Sequence, residues 1–346
     1  MILANRHILY LCPLGKQQRA WRLEAMPDNC SITMLRTSEV TRSELLTHIA
    51  TADALITERA GVVDRELIEA GKNLKIIQRI GSLSYDIDLE AARELGVPVC
   101  LQPMVGVLAV AEQMMMQMLV LLRAAMPLQN TLRQLPETFG KAAQRTTEDI
   151  FAFNWSQTRR VRLLSGKTVG ILGFGEIATE LVKLLQPWGC DVLYYKRQQY
   201  PAALEQQLKI SYRSPDAVLA ESDIVVSLLP YAAEMDLWLN AERIATMKKG
   251  AFLCHAGSGS VIDEHAVAAA IRNGHLAGGS FDTYEWEPIT PDNPLLSLAN
   301  AMPEANLFLT PHIGSCNDAR HSGQSVYYAN VLRAFAGEPL QGTLQI

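Results

Sequence analysis

The sequence predicts an α/β protein made of two Rossmann-like domains with parallel sheets. Short apolar runs alternate with helical segments in two separate series along the chain, the pattern of strands joined by helical crossovers. A long apolar helix and a weakly periodic connection part the two series. The second series opens on a glycine-rich turn between a strand and a helix. The 346 residues suit two domains of ordinary size.

In the first series His7–Cys12, Ala54–Thr57, Lys75–Gln78 and Val97–Cys100 read as strands, with helices near 42–50, 64–70 and 88–95. Gln102-Pro-Met-Val-Gly106 breaks the pattern. A helix rich in Met and Leu follows from about Ala109 to Ala125, where Met114, Met115 and Met116 read as core or interface packing. Segment 127–160 reads as a long connection. Strands resume at Thr168–Leu172, Asp191–Tyr195, Asp223–Leu228, Ala251–Cys254, Gly278–Phe281 and Asn306–Leu309. Six strands with helical crossovers suit a doubly wound sheet. A final amphipathic helix covers about Asn317–Phe335.

Composition removes several classes of function. With 49% apolar and 19% charged residues, the chain is neither disordered nor collagen-like. A net charge of −5 and the lack of any Lys/Arg-rich run give no reason to expect nucleic acid. The cysteines at 12, 30, 100, 190, 254 and 316 are scattered, so neither a zinc site nor a disulfide framework is signalled and no metal is expected. A reducing, cytoplasmic location is the expectation, because the first ten residues read as a strand rather than a signal peptide. The apolar stretch at Met104–Leu122 is interrupted by Glu112, Gln113 and Gln117. It reads as a buried helix, not a membrane span.

The chemistry-bearing turn is Gly173-Phe174-Gly175-Glu176-Ile177-Ala178, a G-x-G-x-x-A between the Thr168–Leu172 strand and a helix. The first glycine permits the turn, the second lets backbone approach a pyrophosphate, and the small third residue lets helix and strand pack closely. The helix N-terminus adds N–H donors and partial positive charge. The following strand conventionally ends in an acid that reads the adenosine ribose of NAD. Here it ends in Lys196 and Arg197, the first of them 23 residues beyond Gly173. Two cations pair with a 2′-phosphate, so NADP is favoured over NAD.

These motifs and several others in order resemble the D-isomer-specific 2-hydroxyacid dehydrogenase family, which includes phosphoglycerate dehydrogenases and glyoxylate/hydroxypyruvate reductases. They include Leu74-Lys-Ile-Ile-Gln-Arg-Ile-Gly81, Asp223-Ile-Val-Val-Ser-Leu-Leu-Pro230, Phe281-Asp-Thr-Tyr-Glu-Trp-Glu-Pro288 and Leu309-Thr-Pro-His-Ile-Gly314. The resemblance covers the chain strongly from about Leu74 onward and by pattern before that. It implies that His312 is the catalytic acid/base and Glu287 its partner, with Glu285 the competing carboxylate. An imidazolium held by a carboxylate is a suitable donor to the alkoxide left by hydride transfer. It also implies that Pro230, Ala256 and Asp282 join the glycine turn in holding the cofactor, although Asp282 also reads as a strand cap.

The resemblance further implies a flavodoxin-like substrate domain, residues 1–107 with 315–346, into which a cofactor domain of residues 108–314 is inserted. The active site is then expected in a cleft, with His312 at the second crossing. The helix from Ala109 and the connection after it are expected to form a two-fold dimer interface, and a homodimer acting on a small molecule follows.

One departure bears on substrate. The family pattern resembling Asn-x-Ala-Arg-Gly-x-Val-Val-Asp-Glu appears as His255-Ala-Gly-Ser258-Gly-Ser-Val-Ile-Asp-Glu264, so Ser258 stands where the carboxylate-binding arginine belongs. A charge-assisted hydrogen bond contributes about 1.5–3 kcal/mol, so the loss costs roughly two powers of ten or more with a 2-oxoacid. The loops Leu101–Gly106 and Gly81–Tyr85 also depart from the family. Three readings stay open: hydride transfer to a different carbonyl or alcohol, a dinucleotide-binding sensor that has lost turnover, and non-redox chemistry with the same dyad. For the first, Arg79 is a candidate anchor beside Ser258, and the Gly257–Ser260 backbone is either an anion nest or a flexible turn.

Overall fold

The computed structural model describes residues 6–133, 142–317 and 326–345. The chain divides into two compact units, one of Met1–Val107 with Cys316–Ile346 and one of Leu108–Ser315.

The first unit holds a parallel sheet of β1 (Arg6–Cys12), β2 (Cys30–Arg36), β3 (Ala54–Thr57), β4 (Ile77–Ile80) and β5 (Val99–Gln102), ordered β2-β1-β3-β4-β5. This is the flavodoxin-like strand order. Helices α1 (Lys16–Glu24), α2 (Arg42–Ile49), α3 (Arg65–Ala70) and α4 (Leu89–Glu94) connect the strands. The last three start where the side chains of Thr41, Asp64 and Asp88 accept N–H groups of the first turn. Leu9, Leu11, Leu55 and Ile77 pack on one face of the sheet, and Ile8, Tyr10 and Ile56 meet Tyr328 and Val331 of the C-terminal helix Val326–Ala336 on the other. Buried Glu58 accepts from the Tyr10 hydroxyl and from Arg22 Nε, and Tyr328 donates to the Arg22 carbonyl at 2.8 Å. Gly342 and Leu344 hydrogen-bond to Leu101 and Val99 at the edge of β5, so the chain's last segment completes this unit.

Several elements differ from the sequence reading. α1 and β2 are additional, and β4 and β5 each begin two residues later than expected. The final helix is described from Val326, and the part expected at 318–325 lies outside the described residues.

The second unit holds α5 (Val105–Leu122) from Leu108 onward and α6 (Ala125–Arg133), the latter occupying the start of the expected connection. Its sheet contains β6 (Thr168–Leu172), β7 (Asp191–Tyr195), β8 (Ile210–Tyr212), β9 (Ile224–Ser227), β10 (Ala251–His255), β11 (Leu276–Phe281) and β12 (Leu307–Leu309). The order is β12-β11-β10-β9-β6-β7-β8 and every pair is parallel. Chain order therefore reverses between β6 and β9, the switch point where doubly wound sheets bind ligands beyond their carboxyl ends. β8 is a short edge strand absent from the sequence reading. Helices α7 (Glu176–Leu185), α8 (Ala202–Leu208), α9 (Pro215–Glu221), α10 (Ala241–Thr246), α11 (Glu264–Arg272) and α12 (Pro294–Ala301) cover the sheet.

α5 is long and apolar enough to cross a bilayer by length and composition. Its polar side chains and backbone instead meet the sheet of this unit. Ser280 donates to Gln117 at 3.0 Å, Asn306 to the Leu121 carbonyl at 2.7 Å, and Gln113 to Thr310 at 3.1 Å.

Candidate active site

The glycine turn sits at the switch point. Gly173 has φ +89°, and a Cβ there would lie 2.6 Å from the Leu228 carbonyl oxygen, so both its conformation and its neighbours require glycine. Its N–H donates to the Tyr195 carbonyl at 3.0 Å, joining the turn to the end of β7. Gly175 precedes α7, and a Cβ built on it would meet nothing within 4 Å. Protein packing does not demand glycine at that place, but close approach of a pyrophosphate does. The first turn of α7, Glu176 and Ile177, offers N–H groups that have no acceptor within the helix. Ala178 is fully buried. These residues fit a dinucleotide.

Phe174 is buried against Tyr194 and Tyr200, with ring centroids 4.9 and 5.7 Å away. The Tyr194 hydroxyl donates to Glu205 at 2.7 Å and accepts the Tyr200 N–H at 2.9 Å, which shapes the segment after β7. Lys196 Nζ rests 3.6 Å from the Tyr200 ring centroid, and Arg197 is exposed. Both follow the carbonyl that anchors Gly173. Pro230 and Ala256 come just beyond β9 and β10. Ala256 is bonded to the Ser227 carbonyl at 3.2 Å, and Pro230 is exposed.

His312 and Glu287 are brought together. His312 Nδ1 lies 2.6 Å from Glu287 Oε2, while Glu287 Oε1 accepts the Tyr284 N–H at 3.0 Å. Nε2 makes no bond to the described residues and the ring is half exposed. Glu285 does not share the imidazole; its N–H donates to buried Glu264 at 3.1 Å. Burial raises the Glu264 pKa above the ordinary carboxylate value. Glu264 also accepts from Asn293 at 2.5 Å, so it fixes the loop carrying both glutamates. The Tyr284 hydroxyl donates to the carbonyls of Phe281 and Thr310, tying that loop to the one bearing His312.

His312 adopts φ +51°, the left-handed region that a non-glycine residue enters only when its surroundings enforce it. Asp282 provides the enforcement. It is 2% exposed, Oδ1 accepts from the Thr310 hydroxyl at 2.5 Å and from Ile313 N–H at 3.0 Å, and Oδ2 accepts from Gly314 N–H at 2.8 Å. These three bonds tie the Asp282 carboxylate to the His312 loop.

Two expectations change. Arg79 is completely buried, with Nη1 3.3 Å from Asp86 and Nε donating to the Leu83 carbonyl at 3.0 Å. Its charge is neutralised inside the first unit, where it braces the turn after β4 rather than presenting itself to a substrate. The Gly257–Ser260 run contains no positive φ, so it lacks the alternating geometry of an anion nest, and the Ser258 N–H is spent on the Leu229 carbonyl at 2.9 Å. A flexible turn does not describe it either. Added Cβ atoms would lie 2.6 Å from Leu229 O at Gly257 and 1.8 Å from Tyr284 O at Gly259.

Ser258 shares a cavity of about 250 Å³ with His312 and Glu287. Nearby, His255 ends β10 wholly buried, and burial pushes its pKa down to about 4. Thr283, Tyr284, Thr310 and Glu264 escaped the sequence reading as site residues. The signal for them was adjacency, since each lies within a motif whose better-known members were singled out. Among the described residues no cluster of His, Cys, Asp or Glu suits a metal ion.

Comparison with known proteins accords with this geometry. Residues 129–314 match the family model described as D-isomer specific 2-hydroxyacid dehydrogenase, NAD binding domain. The chain is 32% identical over 310 residues to a glyoxylate reductase of Thermococcus kodakarensis, covering 88% of this chain and 86% of the relative. It is 32% identical over 302 residues to a mitochondrial formate dehydrogenase of Oryza sativa subsp. japonica, covering 85% and 74% of the two chains. Among solved structures, a protein from Pyrococcus horikoshii is similar at 25% identity and TM-score 0.56, covering 99% of this chain and 95% of that one. With its doubly wound cofactor unit, glycine turn and paired His312 and Glu287, the chain belongs to the D-isomer-specific 2-hydroxyacid dehydrogenase family and is an NAD-dependent oxidoreductase.

Proposed function

We propose that the protein moves a hydride between a nicotinamide cofactor and a carbonyl or hydroxyl substrate that is not a simple 2-oxoacid. The observation that carries this reading is the 2.6 Å His312–Glu287 contact on a cavity lined by Ser258. When bound, the nicotinamide supplies or accepts the hydride. His312 protonates the substrate oxygen through Nε2, and Glu287 holds the ring through Nδ1 and stabilises its charged form. Ser258 offers one hydroxyl and no charge, so it neither clamps a carboxylate bidentately nor polarises an adjacent carbonyl as a guanidinium does. Retention of the dyad supports turnover over a purely sensing role.

We further infer that Lys196 and Arg197 favour NADP over NAD. In this reading the protein is cytoplasmic and a second copy covers the outer side of α5 and the segment after it, giving a homodimer. Leu108, Met116, Leu132, Phe151 and Phe153 are exposed there, an apolar surface suited to burial between subunits.

The test follows oxidation of NADPH and NADH over a panel of 2-oxoacids, neutral ketones and aldehydes. Turnover on a compound lacking an α-carboxylate, lost in His312→Ala, supports the reading. Unchanged turnover in that variant, or no dinucleotide binding by the purified protein, contradicts it.

A further inference from the structure

We propose that Tyr200 is a positioning residue for cofactor choice: its ring holds the Lys196 ammonium ready for the 2′-phosphate of NADP before the dinucleotide arrives. This rests on the reading of Lys196 as the contact to the ribose phosphate. The two cations that end β7 are treated differently by the fold. Lys196 Nζ lies over the Tyr200 ring, 3.6 Å from its centroid, whereas Arg197 is exposed. An aromatic face attracts an ammonium through its quadrupole. The ammonium has three donors and the ring covers one side of it, so donors are left for phosphate oxygens.

The ring itself is immobilised. Tyr200 is buried, its N–H donates to the Tyr194 hydroxyl at 2.9 Å, and that hydroxyl donates to Glu205 at 2.7 Å. Pro201, the cap of α8, restricts its backbone from the other side. Phe174, the residue between Gly173 and Gly175, meets the Tyr200 ring edge to face with centroids 5.7 Å apart. One aromatic cluster therefore joins the turn suited to the pyrophosphate to the lysine suited to the ribose phosphate. Lysine is rich in rotamers, and ordering it at the moment of binding costs affinity. A lysine already held loses less. NAD has no 2′-phosphate, so only NADP gains from this arrangement.

The experiment measures dissociation constants of NADPH and NADH for the full-length protein by nicotinamide fluorescence. Tyr200→Phe keeps the ring and should keep the wild-type preference. Tyr200→Leu should weaken NADPH by about threefold to tenfold, the cost of ordering one flexible side chain, and leave NADH within twofold. In a Lys196→Met background the same leucine change should no longer move the NADPH:NADH ratio. Replacing Tyr200 by phenylalanine carrying one to four ring fluorines keeps the shape while draining the π face, which carries the test where leucine loosens the cluster. NADPH affinity should then fall stepwise while NADH affinity stays level. Equal losses of both dinucleotides, a flat fluorine series, or tighter NADPH binding in Tyr200→Leu overturns the assignment and leaves the reading of Lys196 intact. If Lys196→Met alone leaves the ratio unchanged, that reading and this assignment fall together.

Discussion

Asp282 controls His312 through the backbone: its carboxylate accepts the N–H groups of Ile313 and Gly314, at 3.0 and 2.8 Å, and so holds His312 at φ +51°. The residue that positions the imidazole thus differs from the one bonded to it, Glu287. Replacing a buried carboxylate that accepts these bonds costs about 1.5–3 kcal/mol per charged hydrogen bond. Asp282→Asn should lower kcat by about tenfold to a hundredfold while dinucleotide affinity stays within about threefold. Equal losses in kcat and dinucleotide affinity would mean that Asp282 serves the cofactor after all.

The dyad itself should behave as an acid/base pair. His312→Ala is expected to lower kcat by about 10²–10⁴, the usual contribution of a positioned proton donor. Glu287→Gln retains the hydrogen bond but not the charge and should fall between that variant and wild type. Stopped-flow measurement of hydride transfer separates this effect from product release.

Buried His255 makes the fold sensitive to acid. Its pKa is near 4 in the folded protein against about 6.5 in an unfolded chain. The unfolded state therefore takes up the proton first, and stability present above pH 6.5 is lost as pH falls toward 4. That difference corresponds to about 3 kcal/mol. His255→Asn should show a shallower decline of denaturation midpoint between pH 7 and 4.5 than wild type. Parallel pH profiles would remove His255 as the cause.

Lys196 and Arg197 set the expectation for cofactor choice. Lys196→Asp should reduce the NADPH:NADH ratio of kcat/KM by roughly tenfold to a hundredfold, the worth of one charge-assisted bond to a phosphate. An unchanged ratio would show that neither the Lys196 charge nor its place over Tyr200 reads the ribose.

Much of the fold was legible because central strands of parallel sheets are buried on both faces and read as continuous apolar runs. Thr168–Leu172 and Asp191–Tyr195 match their expected bounds for this reason. β2 escaped because Cys30–Arg36 is an edge strand, half exposed along most of its length, with Ser31 and Thr33 interrupting its apolar residues. β8 escaped because three residues carry too little pattern. At the site, His312 and Glu287 stood out through their motifs. Glu285 and Glu287 flank the same tryptophan, however, and only the packing of Tyr284 against both loops shows which of them reaches the imidazole. Arg79 misled because a lone cation in an apolar run suggests a ligand, whereas its partner Asp86 lies across a turn that spacing alone does not fold.

If Ser258 turns the site away from 2-oxoacids, as proposed, an arginine restored at that position should bring them back as substrates. Ser258 has φ −75° and ψ 129°, a conformation any side chain adopts, so arginine is accommodated there without backbone strain. The most direct measurement is kcat/KM for pyruvate and glyoxylate in wild type and Ser258→Arg, beside the compound the wild type prefers. A rise of about a hundredfold with the 2-oxoacids, accompanied by a loss on the preferred compound, is the expected result. A wild type that already reduces 2-oxoacids best, with no gain on introducing the arginine, would show that Ser258 does not exclude them.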